Sequence, residues 1–297
     1  MRKIICKAYG KINLTLDVLG KRADGYHEVV TLLQGISLHD DVYLAQEDEE
    51  GIYLTCNWAE LSTGAENLAY QAAQLLKANF PQISGLRIHL TKRIPIAAGL
   101  AGGSTDAAAV LWGVNHLYKL HLSPEELVEL GSELGSDVPF CLYPLTAIGT
   151  GRGERLEPCC PCPELWLVLL KPPLKVSTRK VYKHLAQVQL RKRPEINKVL
   201  HGLQTGNKEQ IYAHMGNVLE HATFALYPQL KEWAQQIAEL DVGKVMMSGS
   251  GPSLLVFGED EKVAAKLATS FQKPGWQVEV VRTINSRDLR GRMIIDE

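Results

Sequence analysis

Residues 95–111 read PIAAGLAGGSTDAAAVL, three glycines and two hydroxyl residues in a short loop that runs straight into an alanine-rich helical pattern. A helix starts with unpaired backbone N–H groups and a partial positive charge, so a glycine-rich turn feeding it suits an anion such as phosphate. Gly99, Gly102 and Gly103 omit the side chains that would block close backbone approach, and Ser104 and Thr105 offer hydroxyls to an oxygen or a metal. The alternative is a tight strand-to-helix turn in which glycine only permits unusual dihedrals. No Gly-Lys-Ser or Gly-Lys-Thr follows, and no G-x-G-x-x-G opens the first strand-helix unit. The loop is therefore neither a P-loop nor a Rossmann fingerprint.

The 297 residues, 45% of them hydrophobic, suffice for one large core or two moderate ones. A formal net charge of -1 gives no global field for nucleic acid or an acidic membrane. The longest aliphatic stretches, such as LWLVLL at 165–170, fall far short of the roughly 20 apolar residues that span a bilayer. The opening MRKIICKAYG breaks into polar and glycine positions before a signal-peptide core forms, so a cytoplasmic protein is expected. Six cysteines are scattered along the chain. The one cluster, Cys159, Cys160 and Cys162, lacks a second ligand pair at finger spacing and reads as a loop of free thiols rather than a metal site.

Around the loop, the pattern predicts strands early in the chain, with Ile12, Leu14, Leu16 and Val18 alternating, and again at 40–46, 51–56 and 86–92. Helices are expected from Leu68, over about 103–118, and from Ser123, where Pro124 and Glu126 complete a capping box. Short strands are expected at 140–148 and 165–171, then a helix-rich stretch to about 240. Strands at 244–247 and 253–258, a helix at 262–271 and a strand at 276–284 follow. Residues 285–297, mostly polar, read as a tail with no catalytic part. Strand runs and helix runs without strict alternation predict an α+β fold in two lobes, 1–160 and 161–297.

Three segments carry a family resemblance. Pro95, Gly99, Leu100 and the following AGGS resemble the phosphate loop of the GHMP small-molecule kinases, P-x-x-x-G-L-x-S/G-S/A. MMSGSGPSLLVFG at 246–258 resembles their second glycine motif. AYGKINLTLDVLGKRADGYHEV at 8–29 resembles the branch that phosphorylates 4-diphosphocytidyl-2-C-methyl-D-erythritol on the non-mevalonate route to isoprenoids. The motifs run in the family's order from Ala8 to about Phe257.

The resemblance implies a two-lobed GHMP kinase fold with the phosphate loop in the N-terminal lobe and helices on an antiparallel sheet in the C-terminal lobe. It implies ATP and Mg²⁺, with ATP held by Asn67, Pro95, Ala97, Ala98, Gly99, Leu100, Ala101, Gly102, Gly103, Ser104 and Thr105. Gly249, Ser250 and Gly251 would support that loop. Asp137 becomes the general base and Lys11 its partner, although by themselves they read equally as a helix cap and a solvated strand charge. Asn13, two residues along the strand from Lys11, would share its face and orient the acceptor. Tyr26 and His27, otherwise loop aromatics, become a cytidine clamp, with Tyr182 as its second wall and Thr178 as a substrate-contacting hydroxyl. Asn67 reads alternatively as a helix-start polar residue. The sequence departs from the family at VSTRKVY, which lacks a threonine-proline step, and at Thr105, where many relatives have serine.

No protein ligand for magnesium and no oligomeric state is legible. The rival expectations are another GHMP kinase, of homoserine or mevalonate type, and a catalytically silent nucleotide-binding regulator. A nucleic-acid role would rest only on RKVYKHLAQVQLRKR at 179–193, which reads as a solvated helix face.

Overall fold

In the computed structural model, which describes residues 2–190 and 192–296, the alternating start of the chain becomes a long antiparallel hairpin. Its strands are β1 (Lys3–Lys21) and β2 (His27–Glu47). The pairing changes register between Tyr9 and Lys11, between Asn13 and Thr15, and between Val18 and Gly20. Such bulges bend a strand and re-aim its side chains, and two of them bracket Lys11 and Asn13.

After β3 (Gly51–Cys56), α1 (Leu68–Asn79) and β4 (Gly85–Thr91), the glycine loop leads into α2 (Gly102–Leu117). This helix is buried on nearly every face, as its small apolar residues dictate. Gly113 lets the helix lie close against β2: a Cβ there would stand 2.3 Å from the Leu44 side-chain tip, which would have to shift. Next come α3 (Pro124–Leu134), which carries the capping box anticipated at Ser123, and α4 (Val138–Leu142). The expected strand at 140–148 is thus half helix, with only β5 (Ala147–Thr150) extended. A short buried apolar run has no period that separates the two states, and Pro139 at the helix start decides for helix.

The chain continues with β6 (Arg155–Pro158), β7 (Trp166–Lys171) and α5 (Thr178–Leu185). The helix-rich stretch resolves into α6 (Ile196–Thr205), α7 (Lys208–His214), a two-residue strand β8 (Gly216–Asn217), α8 (Leu219–Leu226) and α9 (Pro228–Ala238). Then follow β9 (Lys244–Met247), β10 (Leu254–Gly258), α10 (Glu261–Ser270) and β11 (Gln277–Arg282). The last elements are α11 (Ser286–Arg290) and β12 (Met293–Asp296).

One sheet runs in the order β12-β1-β2-β4-β3, with β5 and β8 attached to β2 and β1. The other, β11-β7-β10-β9, is antiparallel. Strand β1 passes through three cores in turn: Ile4, Cys6 and Ala8 pack with α1 and α2, Ile12 and Leu14 with β7 and β10, and Leu16 and Val18 with the C-terminal helices. Lys11 and Asn13 therefore sit where the first of these cores gives way to the second.

The tail expected beyond residue 285 is structural instead. Strand β12 pairs with Lys3–Cys6 of β1, and Arg292 is buried, donating to the carbonyls of Lys7, Leu142 and Cys141. Glu297 lies outside the described residues. The three clustered thiols are free; burial pushes Cys159 and Cys162 up to about 12 and keeps them protonated.

Candidate active site

The glycine loop bends through left-handed backbone at every second residue, Ala97 (φ 52), Gly99 (φ 76) and Ala101 (φ 61). Alternation of this kind turns successive N–H groups to one side and builds an anion-binding concavity. Ala98 and Leu100 bury their side chains in the second core, while Gly99 and Ala101 line the cleft. Ala101 caps α2 with no side-chain hydrogen bond, leaving the first amides of the helix open to a ligand. Ser104 faces the cleft. Thr105 is fully buried and donates to the carbonyl of Gly102, so its hydroxyl proton is spent within the helix.

The two glycine motifs are in contact. Ser248 donates to the carbonyl of Gly99 at 3.0 Å, and a Cβ on Gly99 would stand 2.3 Å from the carbonyl oxygen of Ser248. Asn217, absent from the sequence expectations, donates to the carbonyls of Met247 and Gly249 and so fixes the second motif from below. Beside it, Glu220 accepts from the Met247 amide at 2.7 Å, and burial pushes its carboxyl up to about 7.

Strand β1 brings the catalytic candidates against this loop through a hydrogen bond from the Lys11 amide to the Leu100 carbonyl. Lys11 is buried, not a solvated charge; its Nζ donates to Asn13 Oδ1 at 3.2 Å and lies 3.7 Å from Asp137 Oδ1. Asn13 donates in turn to Thr31, which donates to the Thr15 carbonyl, so the amide is held in one orientation. Asp137 stands at the N-cap of α4 and makes no side-chain capping bond. Its carboxylate, 44% exposed, faces the cleft with the Lys11 ammonium as its ion-pair partner. The far end of α4 is gripped by Arg292, the residue whose burial the sequence concealed.

One cleft of about 1100 Å³ joins these groups to Tyr26, His27, Thr178, Tyr182, Gly249 and Ser250. The His27 ring lies tilted against Tyr182, centroids 5.1 Å apart. Burial lowers the His27 pKa, with the Lys21 charge adding to the effect, and raises that of Tyr182 to about 12. Tyr26 is 57% exposed, with the Arg152 guanidinium 4.9 Å from its ring. Thr178 shares a 2.7 Å hydrogen bond with Ser250. Arg152, Arg179, Lys21 and Lys183 also line the cleft and were not singled out by the sequence, where they are ordinary charges. Asn67 caps α1, accepting from Ala69 and donating to Ser62, and does not line the cleft. Among the described residues no three His, Cys, Asp or Glu side chains converge as a metal cage. No helix among them is long and apolar enough to cross a membrane.

Comparison with known proteins matches the GHMP kinases N terminal domain family over residues 67–144 and the GHMP kinases C terminal family over 199–275. The chain is 43% identical to a 4-diphosphocytidyl-2-C-methyl-D-erythritol kinase of Pelotomaculum thermopropionicum, covering 96% of this chain and 99% of the relative. It is 41% identical, with the same coverage, to the kinase of that name from Bacillus velezensis. A crystal structure of 4-(cytidine 5'-diphospho)-2C-methyl-D-erythritol kinase superposes with a TM-score of 0.81 at 34% identity, covering 95% of this chain and 100% of the other. Homoserine kinase from Cytophaga hutchinsonii shares the fold, with a TM-score of 0.74 at 20% identity over 99% and 97% of the two chains.

Proposed function

The chain belongs to the 4-diphosphocytidyl-2-C-methyl-D-erythritol kinases of the GHMP family, and from that premise we propose that it transfers the γ-phosphoryl group of ATP to the 2-hydroxyl of 4-diphosphocytidyl-2-C-methyl-D-erythritol. The observation that carries this reading is the Asp137 carboxylate, without a capping bond and ion-paired with buried Lys11, in the same cleft as the open end of the glycine loop.

Phosphoryl transfer to an alcohol needs positioning, charge stabilisation and a destination for the hydroxyl proton. The amides of the glycine loop and of the first turn of α2 hold the triphosphate oxygens. Asp137 takes the proton as the 2-hydroxyl oxygen bonds to the γ-phosphorus and the bond to the leaving ADP oxygen breaks. The Lys11 ammonium, held by Asn13, stabilises the negative charge that develops between them. A magnesium ion would be carried on the triphosphate oxygens, as this ion commonly is, with the Ser104 hydroxyl in the cleft available to it. Bound there, it supplies charge neutralisation on the phosphates. At the other end of the cleft, Tyr26, His27 and Tyr182 hold the cytosine, with Lys21, Arg152, Arg179 and Lys183 nearby to offset the negative charge of the two ligands.

The test is ADP release by the purified protein with MgATP and either the cytidyl polyol, homoserine, mevalonate or galactose. Turnover confined to the cytidyl polyol is expected. Turnover of a neutral or amino-acid alcohol instead would reassign the acceptor, and ATP binding without turnover of any alcohol would make the chain a silent nucleotide sensor.

A further inference from the structure

Beneath the glycine loop lies a buried ionic cluster that the reaction described above does not use. Lys92, one residue past the end of β4, is 5% exposed. Its ammonium bonds the carboxylates of Asp40 on β2 and Asp106 on α2, both almost completely buried, and approaches the Gly102 carbonyl at 3.4 Å. The other Asp40 oxygen accepts from the amides of Arg93 at 2.5 Å and Ile94 at 2.8 Å. The Lys92 backbone is fixed separately, its amide donating to Asn57 and its carbonyl accepting from it.

These bonds fall at the two ends of one segment. Asp40 holds the chain where it enters the loop, at residues 92–94, while Asp106 and the Gly102 carbonyl belong to the first turns of α2, where it leaves. One ammonium joins both ends. Between them stand Ala97, Gly99 and Ala101, whose left-handed backbone aims the amides. The second oxygen of Asp106 is buried without a hydrogen-bond partner. A carboxylate kept buried at that cost on an alanine-rich helix has a use other than packing, because alanine would suit the helix better.

We propose that Lys92, Asp40 and Asp106 are positioning residues that set the distance between the two ends of the glycine loop, and through it the triphosphate-binding geometry. The proposal rests on the reading that this loop holds the phosphates of ATP. Lys92 and Asp106 make no contact with the cleft; their effect reaches the phosphates only through the backbone they tether.

The decisive variants are Asp106→Ala and Asp106→Asn. Asp106→Ala leaves Lys92 paired with Asp40 and puts alanine on a helix that favours it, so the fold is expected to hold, while the leaving end of the loop keeps only the Gly102 carbonyl contact to Lys92. Its KM for MgATP is expected to rise about tenfold or more, with a lower kcat, because small misplacements of a reacting group carry effects of that size. Its KM for the cytidyl polyol stays at the parent's value. Asp106→Asn keeps an oxygen for Lys92 and is expected to restore the KM for MgATP to within about threefold of the parent. A second variant, Lys92→Met with Asp40→Asn and Asp106→Leu, removes all three buried charges together and keeps an amide oxygen at position 40 for the Arg93 and Ile94 amides, a whole-cluster replacement that buried ion pairs often tolerate in stability. It is expected to show the same separation of the two KM values.

An unchanged KM for MgATP in both Asp106→Ala and the triple variant would overturn the proposal. So would an equal rise in both KM values, or an Asp106→Asn variant as impaired as Asp106→Ala. Failure of the underlying reading is distinguishable, because then the parent protein itself would neither bind nor turn over MgATP.

Discussion

The two ends of the cleft are built from different materials. At the glycine loop the ligand meets backbone: left-handed Ala97, Gly99 and Ala101, the open amides of α2, and a second motif pressed so close that Gly99 has no room for a side chain. At the other end it meets side chains, with Tyr26 57% exposed on the hairpin turn and Arg152 laid over its ring. A backbone cradle is shape-bound and serves any triphosphate, whereas exposed aromatic and charged side chains are easily exchanged. On the proposed reading, the difference puts the shared chemistry in the first region and the choice of acceptor in the second.

The largest effect should come from the junction, where neither region dominates. Asp137→Asn keeps the size of the side chain but cannot take the proton, and kcat is expected to fall by about 10² to 10⁴. Steady-state kinetics should show both KM values nearly unchanged; a rise in the KM for the acceptor at constant kcat would make Asp137 a binding group instead.

Next is Gly99→Ala. Its Cβ would overlap the Ser248 carbonyl, at 2.3 Å, in a backbone conformation that favours glycine. Thermal unfolding should register a loss of about 2 kcal/mol or more, accompanied by a raised KM for MgATP. Tyr26→Ala should do the reverse. An exposed position leaves stability within about 0.5 kcal/mol, while the KM for the acceptor rises by the equivalent of about 1–3 kcal/mol, the usual worth of a base stacked on an aromatic ring. If each variant disturbed both substrates alike, the contrast between the two ends would collapse.

The smallest effect concerns the support beneath the second motif. Glu220 has its pKa raised by burial from 4.5 to about 7. The unfolded chain therefore releases this proton more readily than the folded one. Its contribution is whole below about pH 4.5 and is lost as pH rises through about 7. Glu220→Gln, which retains an oxygen for the Met247 amide, should raise the unfolding temperature more at about pH 8 than at about pH 5. An equal shift at both values would mean that the carboxyl does not titrate there.

The same contrast governs what could be read from sequence. Gly99, Gly102 and Gly103 could be singled out because a backbone anion site obeys local rules; Lys11 was singled out by the family resemblance, and only the place of Asn13 beside it follows from alternation along a strand. Lys92, Asp40 and Asp106 were not, since their separations of 52 and 14 residues leave no periodic mark and isolated charges read as surface. Arg292 was concealed in the same way: a polar segment reads as solvated, yet three backbone carbonyls satisfy its guanidinium inside the protein. Asp137 was visible in either of two roles, and only its missing capping bond separates them.

The most direct test of the division between a backbone cradle and a side-chain clamp compares two acceptors at fixed MgATP: the cytidyl diphosphate of the methylerythritol, and the same polyol 4-phosphate without cytidine. Both present the same 2-hydroxyl to Asp137. A kcat/KM at least about a hundredfold higher for the cytidine-bearing acceptor is expected, in line with base stacking worth about 1–3 kcal/mol together with polar contacts at its edge. Equal values for the two would contradict the account, because Tyr26, His27 and Tyr182 would then play no part in choosing the acceptor.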